Sequence, residues 1–192
     1  MPHRNDAALD FLLTRRSRPA KTLRAPAPDD ESLREMLTAA ARSPDHGKLE
    51  PWRFLVLREP ALARLAEAAL DRAETLKLGA EQAAKGRAQF ADSPLCVAVV
   101  EIQRESAKIP PIEQTYSAGA VCLALLNAAL AAGWGANWLS GWVAHDRGFV
   151  AGHLGLEANE RIAGFVHIGT EGSVPPERPR PDIEAITTWV EA

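Results

Sequence analysis

The sequence predicts an α+β fold, a sheet covered by helices, rather than a doubly wound α/β fold. Two apolar runs, 95–102 (with Val97, Val99 and Val100) and 162–168, read as strands buried on both faces. A charge-free stretch over 115–144 reads as the body of a long buried helix followed by a buried strand. Helices and strands are mixed without strict alternation, the pattern of an α+β sheet. The 192 residues are 46% hydrophobic and 24% charged, as in ordinary globular chains. Their number fits one domain, 1–192, with a C-terminal arm from about 171.

The elements follow in order. Residues 6–14 read as a short helix with Leu9, Leu12 and Leu13 on one face, ended by Arg15-Arg16-Ser17-Arg18-Pro19. Pro26 and Pro28 bound a linker, and Asp29 or Asp30 caps a helix to about 42 with Leu33, Met36 and Leu37 inward. A loop over 43–47 precedes a strand at 54–57 that stops near Pro60. Residues 61–78 form a helix ending near Gly79, and the charged, Ala-rich segment to Phe90 reads as a mobile helix. Pro110-Pro111 opens the long helix to Ala132. Residues 135–140 form a strand, 147–154 a short helix and 186–190 a last strand, after a Pro- and Arg-rich tail over 175–181. Trp134, Trp138 and Trp142 recur every four residues through a Gly-rich segment. If that segment is extended, all three face one side.

Several chemistries are excluded. A net charge of −3 argues against a nucleic-acid binder. Cys96 and Cys122 lie in apolar runs and read as buried thiols of a reducing compartment, and with too short an apolar start for a secretion signal the cytoplasm is expected. The stretch 115–144 is long enough for a bilayer span, but Asn127, Asn137, Ser140 and Gly133-Trp134-Gly135 interrupt it and no basic flank sets a topology, so no membrane is expected. There is no dinucleotide fingerprint or phosphate loop. Ser140 lacks the glycine that begins a nucleophile elbow, and the five histidines form no metal-binding pair with a carboxylate. A protein with no evident nucleophile or metal site can still be an enzyme if a cofactor does the chemistry.

One cluster carries charge. Arg15, Arg16, Arg18, Lys21 and Arg24 lie between Phe11 and Pro28 with no carboxylate among them. With Ser17 they suit a phosphate monoester, which guanidinium groups bind by paired, charge-assisted hydrogen bonds. On composition alone, a solvated turn neutralising a helix C-terminus accounts for the same residues slightly better. Arg178 and Arg180 in the tail could complete a phosphate clamp or simply solvate a proline-rich loop.

Taken together, the segments resemble the FMN-dependent nitroreductase family, particularly its short subgroup. The resemblance rests on Arg15-Arg16-Ser17, on Ala41-Arg42-Ser43-Pro44-Asp45-His46 leading to Pro51-Trp52-Arg53-Phe54, and on Ser117-Ala118-Gly119-Ala120. It continues through Gly133-Trp134-Gly135, Trp138-Leu139-Ser140-Gly141, Gly164-Phe165-Val166-His167-Ile168-Gly169-Thr170 and the tail, in the family's order over nearly the whole chain.

That resemblance implies a central, mostly antiparallel sheet flanked by helices, with the long helix at a homodimer interface and two FMN sites lined by both chains. Arg15, Arg16 and Ser17 would hold the FMN phosphate and ribityl chain, with Arg180 or Arg178 assisting. Arg42 and His46 would reach the flavin, one or both across the dimer, and His46 would make contact rather than donate a proton. Trp138, Leu139 and Ser140 would line the isoalloxazine ring. The stretch Ala128, Ala129, Leu130, Ala131, Ala132 and Gly133 would meet NADH or NADPH. The implied activity passes hydride from NAD(P)H through FMN to a nitroaromatic, quinone or similar small acceptor with ping-pong kinetics. A flavin store or sensor without turnover is the alternative. The chain departs from the family at Lys48 and Glu50, where many members have Asn and Gln. It departs again at Pro19, where many carry the cation that faces flavin N1 and O2. Arg42, Arg18 or Lys21 would then take that role.

Overall fold

The computed structural model describes residues 3–191. Helix α1 (Asp6–Thr14) is followed by a 3-10 turn at Ala20–Thr22 and a two-residue strand β1 (Leu23–Arg24). Then come α2 (Asp30–Ala40), a 3-10 turn at His46–Lys48, β2 (Trp52–Leu57), α3 (Glu59–Thr75), α4 (Ala80–Ala91) and β3 (Cys96–Ile102). The chain continues as α5 (Pro111–Ala131), β4 (Gly135–Leu139), α6 (Trp142–His145), α7 (Arg147–Leu154), β5 (Glu160–Glu171) and α8 (Ile183–Ile186). Local signals set several ends. Asp29 caps α2 by accepting from the Ser32 N–H, and Asp146 caps α7 by accepting from the Phe149 N–H. Gly155, in the left-handed conformation, closes α7.

Among the described residues the five strands form one sheet in which every pairing is antiparallel. β3 lies between β2 and β5, and β4 pairs with the other side of β5. The N–H groups of Ile168, Thr170 and Gly172 point the same way in the pleat and donate to the carbonyls of Leu95, Pro26 and Thr22. β1 therefore takes over the flank of β5 where β3 begins. Along β3, Cys96, Ala98 and Val100 enter one core layer with α3, α4 and α7, while Val97 and Val99 enter a second with α2 and α5. Burial on both faces explains the unbroken apolar run. On β5 the register skips Ala163, a bulge that switches the alternation. Ile162 and Phe165 thereby face the first layer, and Val166 and Ile168 the second.

The structure corrects three expectations. Residues 187–190 form no strand: α8 takes Ile183–Ile186, and the described residues beyond it carry no regular secondary structure and are largely exposed. The segment expected to be a mobile helix is a packed one, because Phe90 of α4 is fully buried against Phe149 and Phe165. The three tryptophans do not share a face. Trp134 packs on the α5 layer, whereas Gly141 turns the chain and Trp142 crosses to the α3 layer, its Nε1 donating to the Gln82 carbonyl.

α5 is long and apolar enough to cross a membrane, yet it uses Ala118, Val121, Cys122, Leu125, Leu126 and Ala129 to pack on the sheet like a core helix. Its outer face leaves Ile112, Tyr116 and Leu123 exposed. α1 exposes Leu9, Leu12 and Leu13, and none of its residues is buried by the rest of the described chain.

Candidate functional site

The basic run is laid against the open edge of β4. The Arg18 N–H donates to the Ala136 carbonyl (2.8 Å), and its guanidinium donates to the Arg16 carbonyl (2.6 Å). Arg18 Nε lies 2.7 Å from Glu171 Oε2, an ion pair outside hydrogen-bond alignment. Because alternate residues of a strand present their polar groups to the same edge, the Trp138 N–H and carbonyl face the same side as those of Ala136. The Arg15 guanidinium donates to Ser17 Oγ (3.0 Å), so loop and side chain brace each other.

The tail completes the cluster. Arg16 donates to the Pro176 carbonyl (3.3 and 3.4 Å), and Arg180, paired with Glu177 at 2.9 Å, is the tail cation whose charge reaches Arg15. Burial first, then the charges of Arg180, Arg16 and Arg18, lower the affinity of Arg15 for its proton. Arg15 Nε is buried without a partner among the described residues. Four guanidinium groups (Arg15, Arg16, Arg18 and Arg180) face two carboxylates (Glu171 and Glu177), leaving two positive charges in excess. A dianionic group fits that excess and the orphaned donor.

Next along β4, the Trp138 indole lies over Gly164; a Cβ there would sit 1.9 Å from Trp138 Nε1, so only glycine fits. Leu139 and Ser140 are exposed, and the Ser140 carbonyl accepts from Gln89 Nε2 (2.8 Å). A cleft of about 490 Å³ opens beside Trp138, bounded by Thr115, Gly119, His145, Arg147 and Arg161. A wider one of about 550 Å³ between α2 and β2 carries the Arg58–Asp30 ion pair and none of the expected site residues. With Arg34 its lining has one positive charge in excess against the cluster's two, and no unmatched buried donor lies there among the described residues, so the β4 edge is the better site.

Arg42 and His46 lie elsewhere. Arg42 is exposed after α2, and His46 Nδ1 is 2.6 Å from Glu113 Oε2 at the start of α5. Their loop holds Lys48 and Glu50 in the left-handed region, with Gly47 pressed against Ile109. It leads into the start of β2, which pairs with the end of β3, itself paired with the start of β5. The 15–18 segment lies by the start of β4 and the end of β5. The two groups thus occupy diagonally opposite corners of the sheet, and no hydrogen bond or ion pair among the described residues joins them. At the end of α5, Ala129 is buried, Ala128 and Leu130 are half-buried, and Ala131, Ala132 and Gly133 are exposed.

Sequence reasoning missed Glu171, which no motif marks, and the role of Gly164, which stood only as part of a motif. Buried polar groups elsewhere are neutral or paired. Cys96 and Cys122 are unbridged, with the Cys122 thiol pushed by burial up to about 12. The described residues hold no group of His, Cys, Asp and Glu able to bind a metal.

Comparison with known proteins agrees with this architecture. The Nitroreductase family model matches residues 12–170. The chain is 35% identical over 165 residues to "Putative NAD(P)H nitroreductase YdjA" of Escherichia coli K12, covering 85% of this chain and 87% of that one. It is 36% identical over 165 residues to "Putative NAD(P)H nitroreductase" of Haemophilus influenzae, covering 85% and 88%. Among solved structures, a nitroreductase-like family protein from Bacillus cereus aligns over 100% of both chains with a TM-score of 0.81 at 24% identity. A Desulfovibrio desulfuricans "putative nitroreductase in complex with fmn" aligns over 98% of this chain and 100% of that one, with a TM-score of 0.75 at 21% identity. These two share the fold. With a family match over most of its length and relatives above one-third identity, this chain belongs to the nitroreductase family.

Proposed function

We propose that the protein is an NAD(P)H-dependent flavin oxidoreductase that binds FMN along the open edge of β4. One observation carries the reading: a surplus of guanidinium charge, with a buried Arg15 Nε that lacks a partner, is fixed beside the strand that presents Trp138, Leu139 and Ser140. Family membership and the FMN named in the Desulfovibrio structure support it. Arg15, Arg16, Ser17 and Arg180 would hold the phosphate, and the Trp138 to Ser140 backbone would border the ring. FMN held there would supply the hydride chemistry that links NADH or NADPH to a nitroaromatic, quinone or similar small acceptor in a ping-pong sequence. Of the 128–133 segment, the exposed Ala131, Ala132 and Gly133 are the part a nicotinamide nucleotide can touch.

The working form in this proposal is a homodimer, one domain per chain, in the reducing cytoplasm. Its support is the apolar surface left on α1, on the outer face of α5, and on Ile183, Ile186, Trp189 and Val190. Arg42 and His46 of the partner subunit would then complete each site. The test is the visible spectrum of the purified protein, chromatographic identification of the flavin released by heat, and anaerobic addition of NADH or NADPH. FMN that bleaches supports the reductase. FMN that stays oxidised marks a store or sensor, and absence of flavin uptake refutes the site.

A further inference from the structure

We propose that Arg18 and Glu171 are a positioning pair for the phosphate loop, and that Arg18, although part of the basic run, does not itself take the phosphate. The proposal rests on the FMN reading above. Arg18 is held within the chain: its N–H donates to the Ala136 carbonyl, Nη1 donates to the Arg16 carbonyl, and Nε is ion-paired with Glu171 at 2.7 Å, though not aligned for a hydrogen bond. Both side chains of the ion pair are mostly buried, 19% and 29% exposed. Glu171 is a rigid anchor because its backbone stands opposite Leu23 in the β1–β5 ladder.

The loop requires such an anchor. On its N-terminal side is α1, none of whose residues is buried by the described chain, so no core packing holds the loop from there. The guanidinium groups it gathers repel one another: Arg180, Arg16 and Arg18 all act against the charge on Arg15. Until an anion arrives, that repulsion spreads the cluster. The Arg18–Glu171 pair opposes it by tying the Arg16 carbonyl to the end of β5, so that Arg15, Arg16 and Ser17 meet the phosphate already oriented. Preorganisation of this kind strengthens binding by removing the cost of ordering the loop. Pro19, which follows, offers no side-chain donor, and this leaves Arg18 as the residue that connects the loop to the sheet.

The proposal predicts a sign. Glu171→Gln removes a negative charge close to an anion site, so a purely electrostatic role would tighten binding of a phosphorylated ligand. A positioning role weakens it instead. Dissociation constants for FMN and for riboflavin, which lacks the phosphate, are measured by fluorescence titration of the flavin-free full chain. The proteins are wild type, Glu171→Gln, Arg18→Met and Arg18→Lys. Glu171→Gln and Arg18→Met are expected to weaken FMN about tenfold, while riboflavin moves by less than about twofold. Arg18→Lys keeps the charge opposite Glu171 and is expected to recover part of the loss. FMN binding that is unchanged or tighter in Glu171→Gln overturns the pair. Equal weakening of both flavins also overturns it, since that reports general loosening of the fold. A wild-type protein with no preference for FMN over riboflavin refutes the phosphate site itself, and the pair falls with it.

Discussion

Acid should unfold this protein through one buried histidine before its carboxylates contribute. His167 of β5 is fully buried, and Ser93 Oγ donates to the Leu95 carbonyl (2.9 Å), so the 2.9 Å contact between Ser93 Oγ and His167 Nδ1 has the histidine as donor. Nε2 is then a bare acceptor, buried without a partner among the described residues. Protonating it would place an N–H⁺ in the core with nothing to accept its proton. Cys96, directly opposite across the ladder, cannot supply a counter-charge because burial pushes its thiol pKa far up. Burial accordingly lowers the His167 pKa from 6.5 to about 4. With the folded pKa below the unfolded one, the unfolded chain binds the extra proton. The stabilisation is complete above pH 6.5 and is lost as pH falls towards 4. Linkage gives a loss of about 2 kcal/mol between pH 7 and pH 5 and about 3 kcal/mol in full. Glu101, Glu160 and Asp146 are held below the usual carboxylate range by Arg161, Arg53 and Arg72, so their contributions fall away only in more acidic solution. The assay is urea unfolding of wild type and His167→Asn at both pH values. Asn keeps a donor for Ser93 but does not titrate, and effects of the other histidines cancel in the comparison. If the variant loses as much stability as wild type between pH 7 and pH 5, the account of His167 is wrong.

Other perturbations test the site and its supports. Arg15→Ala removes a guanidinium able to give a phosphate paired hydrogen bonds and is expected to weaken FMN binding by at least about tenfold in a fluorescence titration, with little change in thermal stability, since among the described residues the side chain's one hydrogen bond is to Ser17. Gly164→Ala puts a methyl group 1.9 Å from Trp138 Nε1, so the indole must leave its seat. The expected result is a loss of about 1–3 kcal/mol on urea unfolding and an altered visible spectrum of bound flavin. Arg161→Met leaves Glu101, only 1% exposed, with Thr115 and Gln103 as its remaining partners. Because Arg161 itself is more than half exposed, the cost should be about 2 kcal/mol, below that of breaking a fully buried pair, and larger at neutral than at acid pH. Co-expressing Arg15→Ala with His46→Ala chains, each deficient in FMN as a homodimer, should yield mixed dimers that hold about one FMN per two chains. Recovery is expected because one of the two sites in such a dimer draws Arg15 and His46 from unmutated positions.

What the sequence revealed of the fold was what burial alone decides. The runs at 95–102 and 162–168 are apolar because β3 and the middle of β5 touch two core layers, and that shows without any knowledge of neighbours. The ends of β5 were hidden for the opposite reason. Glu160 and Arg161 look like loop residues until Glu101 of the adjacent β3 and Arg53 of β2, one strand further, meet them at 2.5–2.9 Å. Paired charges can extend a ladder past its apolar run, but a single strand's sequence does not name the partner. β1 is two residues long and is defined only by β5, so local propensity could not find it. The expected strand over 186–190 failed because β-branched residues favour strands only where another strand accepts them, and the described chain offers none there.

The candidate site divides along the same line. A cluster of arginines without carboxylates can be read from sequence as local charge, but which of them remains available for a ligand cannot. Glu171 neutralises Arg18 from far along the chain, whereas Arg15 has no carboxylate in ion-pair contact with it among the described residues. The second division is spatial. Arg42 and His46 enter the start of β2 on one edge of the sheet, and Arg15, Arg16 and Ser17 lie by the end of β5 on the other. With β3 and β5 between those edges, residues at the two corners are separated by roughly three strand spacings sideways, about 14 Å, and by most of a strand's length besides. A single flavin ring cannot touch both corners of one sheet. If both groups contact one FMN, a second copy of the chain must bring its opposite corner to the first. The apolar faces of α1 and α5, which have no use within a single chain, are where that copy would be held.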